Sequence, residues 1–486
     1  MGAFSRGLVS RWARLPTRFL PFADAASAQL PLSRLLRLSL FQVSVGMALV
    51  LLVGTLNRVM IVELHVPAAL VAVMVSLPVL YAPLRALIGF RSDTHRSALG
   101  WRRVPFIWMG TLVQFGGFAV MPFALLVLSG GGNAAAWPTW IGQLGAGLCF
   151  LTVGAGLHTT QTAGLALATD LAEPEARPRV VGLMYVMLLL GTMASAFVFG
   201  AVLRDFSPAR LVQVLQAAAV ATIVLNTLSL WKQEPRRPPG GRPQLPKQAE
   251  PGFAEAWRDY VAIDGTRQRL AAILLGTVAF GMQDVLLEPY GGQVLGLSVG
   301  ETTWLTATLA AGGLFGFGWA SRVLARGVDA ASMATWGAVV GVPAFIAVSL
   351  AATLMSAALL AAGVFGIGLA AGLFSHGTLT MTMNRAPREQ AGLALGAWGA
   401  VQATAAGAAV ALGGIGRDAV QALADRGTLG PTLSAPATGY VAIYLLEAGL
   451  LVGTVAVMRL LRQDRARSDL PPAAERTPPI DICRSH

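Results

Sequence analysis

A few ionisable and polar side chains interrupt otherwise apolar stretches of this sequence, and chemistry is to be sought there first. Asn57, Arg58 and Glu63 stand near the end of one apolar run, and Gln283, Asp284 and Glu288 stand within another. A charge in such surroundings is costly, so it marks a pathway, a gate or a partner of opposite sign. Asp284 and Glu288 are one turn apart and share a helical face. The two clusters also match in order: Asn57-Arg58-Val59-Met60-Ile61 resembles Gln283-Asp284-Val285-Leu286-Leu287, and each is soon followed by a glutamate. If this is an internal repeat, Arg58 and Asp284 are pseudo-symmetric and can pair as an outer gate. The other reading is that both helices end there and the charges reach headgroup water.

Two histidines form a second pair of this kind. His158-Thr159-Thr160 has a counterpart in His376-Gly377-Thr378. A neutral imidazole can ligate the magnesium of a chlorin axially or relay a proton. More often it makes hydrogen bonds between helices. Pigment binding by His158 and His376 is one expectation, polar packing the other. No metal cluster, phosphate-cradling loop or nucleophile triad is visible, so the chain reads as something other than an enzyme.

The elements that must position these residues are transmembrane helices. Of 486 residues, 55% are hydrophobic and only 12% charged, about half the charged share of a soluble domain. Runs long enough for a bilayer core fall near 37–62, 67–90, 104–129, 138–169, 180–203, 208–231, 270–296, 302–325, 332–354, 357–384, 390–414 and 437–461. That predicts an all-α integral membrane protein of twelve helices. Of the 36 lysines and arginines, 30 fall in the N-terminal segment, the even-numbered connections and the tail, which places both termini in the cytoplasm. The same asymmetry accounts for the net charge of +12 without nucleic acid as a partner. Cys149 and Cys483 lie in an apolar run and a polar tail, so no disulfide framework is expected. No signal peptide is read at the N-terminus.

Residues 232–268 contain six prolines between Pro235 and Pro251, a composition that resists helix and sheet and reads as a cytoplasmic linker. It separates an N-terminal half, 36–231, from a C-terminal half, 269–462, with a basic segment at 1–35 and a tail at 463–486. In the basic segment Phe4, Leu8 and Trp12 oppose Arg6, Arg11 and Arg14 on a helical wheel. Such a helix lies along anionic membrane lipids; a disordered basic tail is the alternative. Gly312 and Gly316, Gly368 and Gly372, and Gly392 and Gly396 have the small-xxx-small spacing that permits tight crossing.

The loop between the second and third helices carries the sharpest local pattern, Gly89-Phe90-Arg91-Ser92-Asp93 followed by Gly100-Trp101-Arg102-Arg103. It resembles, in expanded form, the signature of the major facilitator superfamily in that loop, which implies two pseudo-symmetric six-helix halves. Physically, Gly89 allows close packing and Asp93 can accept from a helix N-terminus. Arg102 and Arg103 can bind carboxylates or lipid phosphates. Together with Gly100 they would latch the cytoplasmic face. The loop between the eighth and ninth helices keeps Gly318, Arg322 and Arg326 but has no aspartate at the matching place.

Within that superfamily, four stretches together resemble the PucC/LhaA family of photosynthetic bacteria, the bacteriochlorophyll-delivery branch. They are Leu36–Met47, Leu56–Leu64, Ser97–Pro105 and Gly281–Gly292, and the similarity runs from about Pro21 to Arg462. It leans towards the core-antenna, LhaA-like member. The resemblance implies a membrane assembly factor for light-harvesting complexes in a bacterial inner membrane, with bacteriochlorophyll as cargo. Its partners would be antenna polypeptides and the pigment's synthesis machinery. The family assigns no catalytic residues, so none carries over.

The residues agree with an oily cargo to this extent: the charges are expected to cluster near helix ends, and the middles of helices 3, 5, 6, 9 and 11 are almost wholly apolar. A carrier of sugars or ions would place polar groups at the midplane. The alternatives are a secondary transporter of an amphipathic small molecule, proton-coupled through Asp284 or Glu288, and a lipid-embedded scaffold without cargo.

Overall fold

The computed structural model describes residues 30–81, 100–131, 136–173, 176–234, 260–263, 265–385 and 391–468, with scattered positions from 85 to 97 and Arg258. The expected interfacial helix at Phe4–Leu15, most of the proline-rich linker, the end of the tail, and Gly89 and Asp93 of the loop motif lie outside the described residues.

Among the described residues every regular element is helical. The first, α1, runs over Leu32–Glu63 after Pro31 and contains two π-helical stretches, Val50–Thr55 and Val59–Glu63. Helix α2 is Ala68–Ser76, continued by a 3-10 turn to Tyr81 where Pro78 removes a backbone donor. The N-terminal set continues with α3 at Val104–Leu128, α4 at Thr139–Leu171, α5 at Arg177–Val202 and α6 at Pro208–Leu230. In the second set α7 is bent, Thr266–Val285 and Leu287–Leu295. It is followed by α8 at Val299–Leu324, α9 at Ala330–Leu354, α10 at Ala357–Arg385, α11 at Ala391–Asp425 and α12 at Thr438–Ser468.

Local sequence explains the helix starts. Ser298 and Glu301 form a reciprocal capping box at α8, and Asp329 accepts the N–H of Ser332 at 3.0 Å to open α9. Ser207 does the same for Arg210 at the head of α6. Gly296, with φ +69°, ends α7 in a conformation that costs glycine nothing.

Nine of these helices are long and apolar enough to cross a membrane, ten when the bent α7 is one span. The remaining two expected segments are α2, of which only the first part is continuously described, and α8. Four threonines, Thr302, Thr303, Thr306 and Thr308, dilute the apolar character of α8. The chain is a multi-pass membrane protein.

Contacts recur from one set of six to the other. In each, the first helix packs on the fifth and sixth, the third on the fourth and sixth, and the second on the fourth: α1 on α5 and α6, then α7 on α11 and α12; α3 on α4 and α6, then α9 on α10 and α12; α2 on α4, then α8 on α10. Glycines set the closest of these. Gly312 and Gly316 of α8 lie against the carbonyls of Phe365 and Leu369, and Gly368 of α10 against that of Leu309, with no room for a Cβ. Backbones in that proximity gain dispersion contacts that a bilayer does not otherwise reward.

The sets meet through α5 against α8 and α2 against α11. Gly200 abuts Gly300, and Gly414 abuts Ala68. Hydrogen bonds cross between the sets from Ala69 N–H to Asp418 at 2.7 Å, from Asn57 to the Val285 carbonyl at 2.7 Å and from Arg58 to the Leu297 carbonyl at 3.1 Å. The Ala69 and Arg58 bonds lie where α1 ends and α2 begins, so the bundle is closed at that end. The interior cavities extend towards the other end, where both described termini lie.

Candidate functional site

The site is built on the bend in α7. After Gly281 the chain makes a 3-10 turn over Met282–Val285, and the two parts meet at 44°. A break in a membrane helix strands backbone groups that hydrocarbon cannot satisfy. Glu447 of α12, fully buried, supplies one acceptor: its Oε1 takes the N–H of Gln283 at 2.7 Å. Asn57 of α1 supplies a donor, bonding the Val285 carbonyl at 2.7 Å and its own Val53 carbonyl at 3.0 Å. Two side chains from different helices therefore hold the break in shape.

The break directs Asp284 and Glu288 into a central cavity of about 480 Å³ at the mid-length of α1, α5, α7, α8 and α10. Most of its wall is apolar, with Leu49, Val53, Leu188, Leu309 and Phe317. Glu288 is 2% exposed, and its Oε1 accepts from the Thr306 hydroxyl at 2.5 Å. Opposite it stands Gly54, in the first π-helical stretch of α1, where a Cβ would run into the carboxylate. Asp284 accepts from its neighbour Gln283 at 2.5 Å. The expectation that charges stay near helix ends is overturned here: two carboxylates line the middle of the bundle. Asp284 stands near the middle of the expected run 270–296, and the bend lies beside it.

A second chamber of about 790 Å³ adjoins the first, sharing Tyr185, Asp284, Trp398 and Gln402, and lies nearer the end that carries the termini. Arg85, beyond α2, lines it. Its guanidinium donates to the Thr162 hydroxyl at 3.0 Å and to the side-chain amide oxygen of Gln161 at 3.2 Å, both on α4. Gln161 in turn donates to Gln42 of α1 at 3.4 Å.

The expected Arg58–Asp284 gate does not form. Arg58, 4% exposed, pairs with Glu63 on its own helix at 2.5 Å and reaches Leu297 across the interface. Asp284 turns the other way, into the cavity, because the 3-10 turn rotates it relative to a continuous helix. Glu63 is thus the counter-ion of Arg58, part of the closed end.

His158 on α4 and His376 on α10 occupy matching helices of the two sets, and each has a buried Nδ1 without a hydrogen-bond partner. The His376 ring lies 4.2 Å, centroid to centroid, from Phe317, which lines the cavity. Neither imidazole is itself on the cavity wall.

The loop residues that are described form a compact ionic cluster. Gly100 has φ +81°. Arg102 and Arg103 both reach Asp170 at the end of α4, at 2.7 and 3.1 Å, and Arg103 also donates to Ser92 at 2.5 Å. The N-terminus of α3 is capped by Glu234, whose carboxylate takes the N–H groups of Arg102, Arg103 and Val104 at 2.8 to 3.1 Å. The reading that gave a helix N-terminus to Asp93 did not foresee Glu234, which follows α6 and is distant in sequence. Glu447 and Arg85 were also missed as site residues, although each is an ionisable residue in an apolar run.

The family profile described as PUCC protein matches residues 55–466. Protein PucC of Rhodovulum sulfidophilum is 62% identical over 421 residues, covering 87% of this chain and 93% of that protein. The chain belongs to the PucC family. A more distant relative, the bacteriochlorophyll synthase 44.5 kDa chain of Rhodobacter capsulatus, is 30% identical over 284 residues, covering 58% of this chain and 62% of that one. Among solved structures, a bacterial homologue of the human lysosomal transporter Spinster, in an inward-facing and unoccupied conformation, aligns with a TM-score of 0.67 at 17% identity. That alignment covers 91% of this chain and 98% of the other, and it shows that this PucC family member has the major facilitator fold.

Proposed function

We propose that the protein is a membrane assembly factor for the light-harvesting antenna complexes of photosynthetic bacteria, binding or delivering bacteriochlorophyll, chaperoning antenna polypeptides, or both. Membership of the PucC family across residues 55–466 carries this reading. A relative named as a bacteriochlorophyll synthase chain supports the link to pigment, and a cavity walled mainly by aliphatic and aromatic side chains suits an oily cargo. With both termini in the cytoplasm of a bacterial inner membrane, the closed end faces the periplasm and the chambers are entered from the cytoplasmic side. Deleting the gene and recording near-infrared spectra of the membranes tests it. The antenna bands should fall, and which band falls identifies the client complex; undiminished bands sink the reading.

Asp284 and Glu288 on the cavity wall favour a second reading, a proton-coupled carrier of an amphipathic small molecule. Uptake into vesicles that depends on an imposed proton gradient, and that fails in Glu288→Gln, would select it over the first.

A further inference from the structure

Arg85 is a cation facing a chamber within a membrane-spanning bundle. What holds its side chain is neutral: the Thr162 hydroxyl and the Gln161 amide, itself braced by Gln42. No aspartate or glutamate among the described residues forms an ion pair with it. Five arginines of the structure have a carboxylate partner: Arg58 has Glu63, Arg102 and Arg103 share Asp170, Arg210 has Asp205 and Arg417 has Asp418. Arg34, like Arg85, is held by neutral acceptors, both on Gln233, but lines neither chamber. Neutral acceptors orient a guanidinium without cancelling its charge, and an uncompensated charge in low-dielectric surroundings calls for a counter-ion. The Thr162 and Gln161 bonds use Nε and one terminal nitrogen, leaving the other for an incoming oxygen. The rest of the chamber is largely neutral, with Phe280, Phe374, Trp398 and several alanines, and among the described lining residues the one carboxylate is that of Asp284, already bonded to Gln283.

We propose that Arg85 is the anion anchor of the second chamber, and that the cargo is an amphipathic anion, an apolar body carrying one carboxylate. Resting on the pigment reading above and narrowing it, this makes the cargo the pigment before its propionate is esterified, a chlorin free acid, and not finished bacteriochlorophyll, whose propionate carries an alcohol tail. The planar guanidinium accepts a carboxylate through charge-assisted hydrogen bonds, the apolar wall receives the macrocycle, and Asp284 repels a second negative group. An ester offers Arg85 only a weak carbonyl acceptor and leaves the charge uncompensated.

The test uses the full chain in neutral detergent, with quenching of tryptophan emission as readout, since Trp398 lines the chamber. The probes are a chlorin with a free propionate, its methyl ester, and phosphatidylglycerol against phosphatidylcholine. The free acid should bind about tenfold more tightly than the ester, the difference expected of one charge-assisted hydrogen bond. Arg85→Gln should abolish that preference and Arg85→Lys should restore part of it. Thr162→Val, which keeps the charge but loosens its orientation, should reduce the preference, and it serves if Arg85→Gln does not fold. Acid and ester binding equally would overturn the anchor while leaving the pigment reading intact. Arg85-dependent binding of phosphatidylglycerol with no chlorin bound would keep the anchor, name a lipid phosphate as its anion and remove the pigment. Binding of neither anion overturns the anchor.

Discussion

The carboxylate of Glu447 on α12 accepts the N–H of Gln283 at 2.7 Å, where α7 breaks. This one bond joins the last helix of the second set to the turn that shapes the cavity. It explains why a membrane helix keeps a glutamate at a fully buried position. Leaving a buried backbone donor unsatisfied costs about 1–3 kcal/mol. Glu447→Ala should therefore lower the thermal unfolding temperature in detergent clearly, whereas Glu447→Gln, which keeps an oxygen in place, should lower it much less. Equal losses would mean the acceptor is not what matters.

Gly54 and Glu288 should behave as a coupled pair. A Cβ at residue 54 meets the Glu288 carboxylate, so Gly54→Ala must displace it from Thr306. The double variant Gly54→Ala with Glu288→Ala should recover at least half of the stability lost by Gly54→Ala alone. Contacting residues of this kind typically couple by about 0.5–3 kcal/mol. Simple additivity in a detergent unfolding series would contradict the geometry.

At the closed end, charge reversal distinguishes the two partners considered for Arg58. Arg58→Glu with Glu63→Arg should regain part of the expression and stability lost by Arg58→Glu, because it restores the observed pair. Arg58→Glu with Asp284→Arg should regain none, since these residues face different directions. Removing one partner of a buried pair typically costs about 3–5 kcal/mol; the half-exposed Glu63 makes the lower figure or less the one to expect here. Monomer recovery on size exclusion checks both.

Glu234 caps α3 from beyond α6 and so ties the start of the linker to the Arg102–Asp170 cluster. Glu234→Ala should destabilise the N-terminal set by about 1 kcal/mol, the usual value of a lost cap, and Glu234→Gln by less. Asp170→Asn should leave Arg102 and Arg103 without their shared carboxylate and raise proteolysis in the loop before Val104. Unchanged cleavage in Asp170→Asn would show that the cluster does not hold that loop.

Close glycine packing gives the largest expected loss. Gly368→Leu in α10 would drive a side chain into the Leu309 carbonyl of α8 and should abolish recovery of folded protein. Gly318→Leu on the same α8, where nothing lies within reach of a Cβ, should be tolerated. Western blots of membrane fractions compare the two directly.

The sequence by itself determined the solvent of this protein, the helical character of its segments, and the ionisable residues that bilayer energetics single out. Those follow from local composition: an apolar run of sufficient length has one stable environment, and a charge within it is conspicuous wherever it points. Direction is what local composition does not contain. Arg58 and Asp284 looked like partners because they hold equivalent places in a repeat, yet one 3-10 turn rotates Asp284 into the cavity and leaves Arg58 to Glu63. Glu447 and Glu234 were legible as residues but not as partners, since the backbone groups they bond belong to helices some 130 to 160 positions away. Tertiary structure decided these pairings because hydrogen bonds and ion pairs depend on angstrom-scale placement across helices, and that placement is set by where glycines let backbones approach.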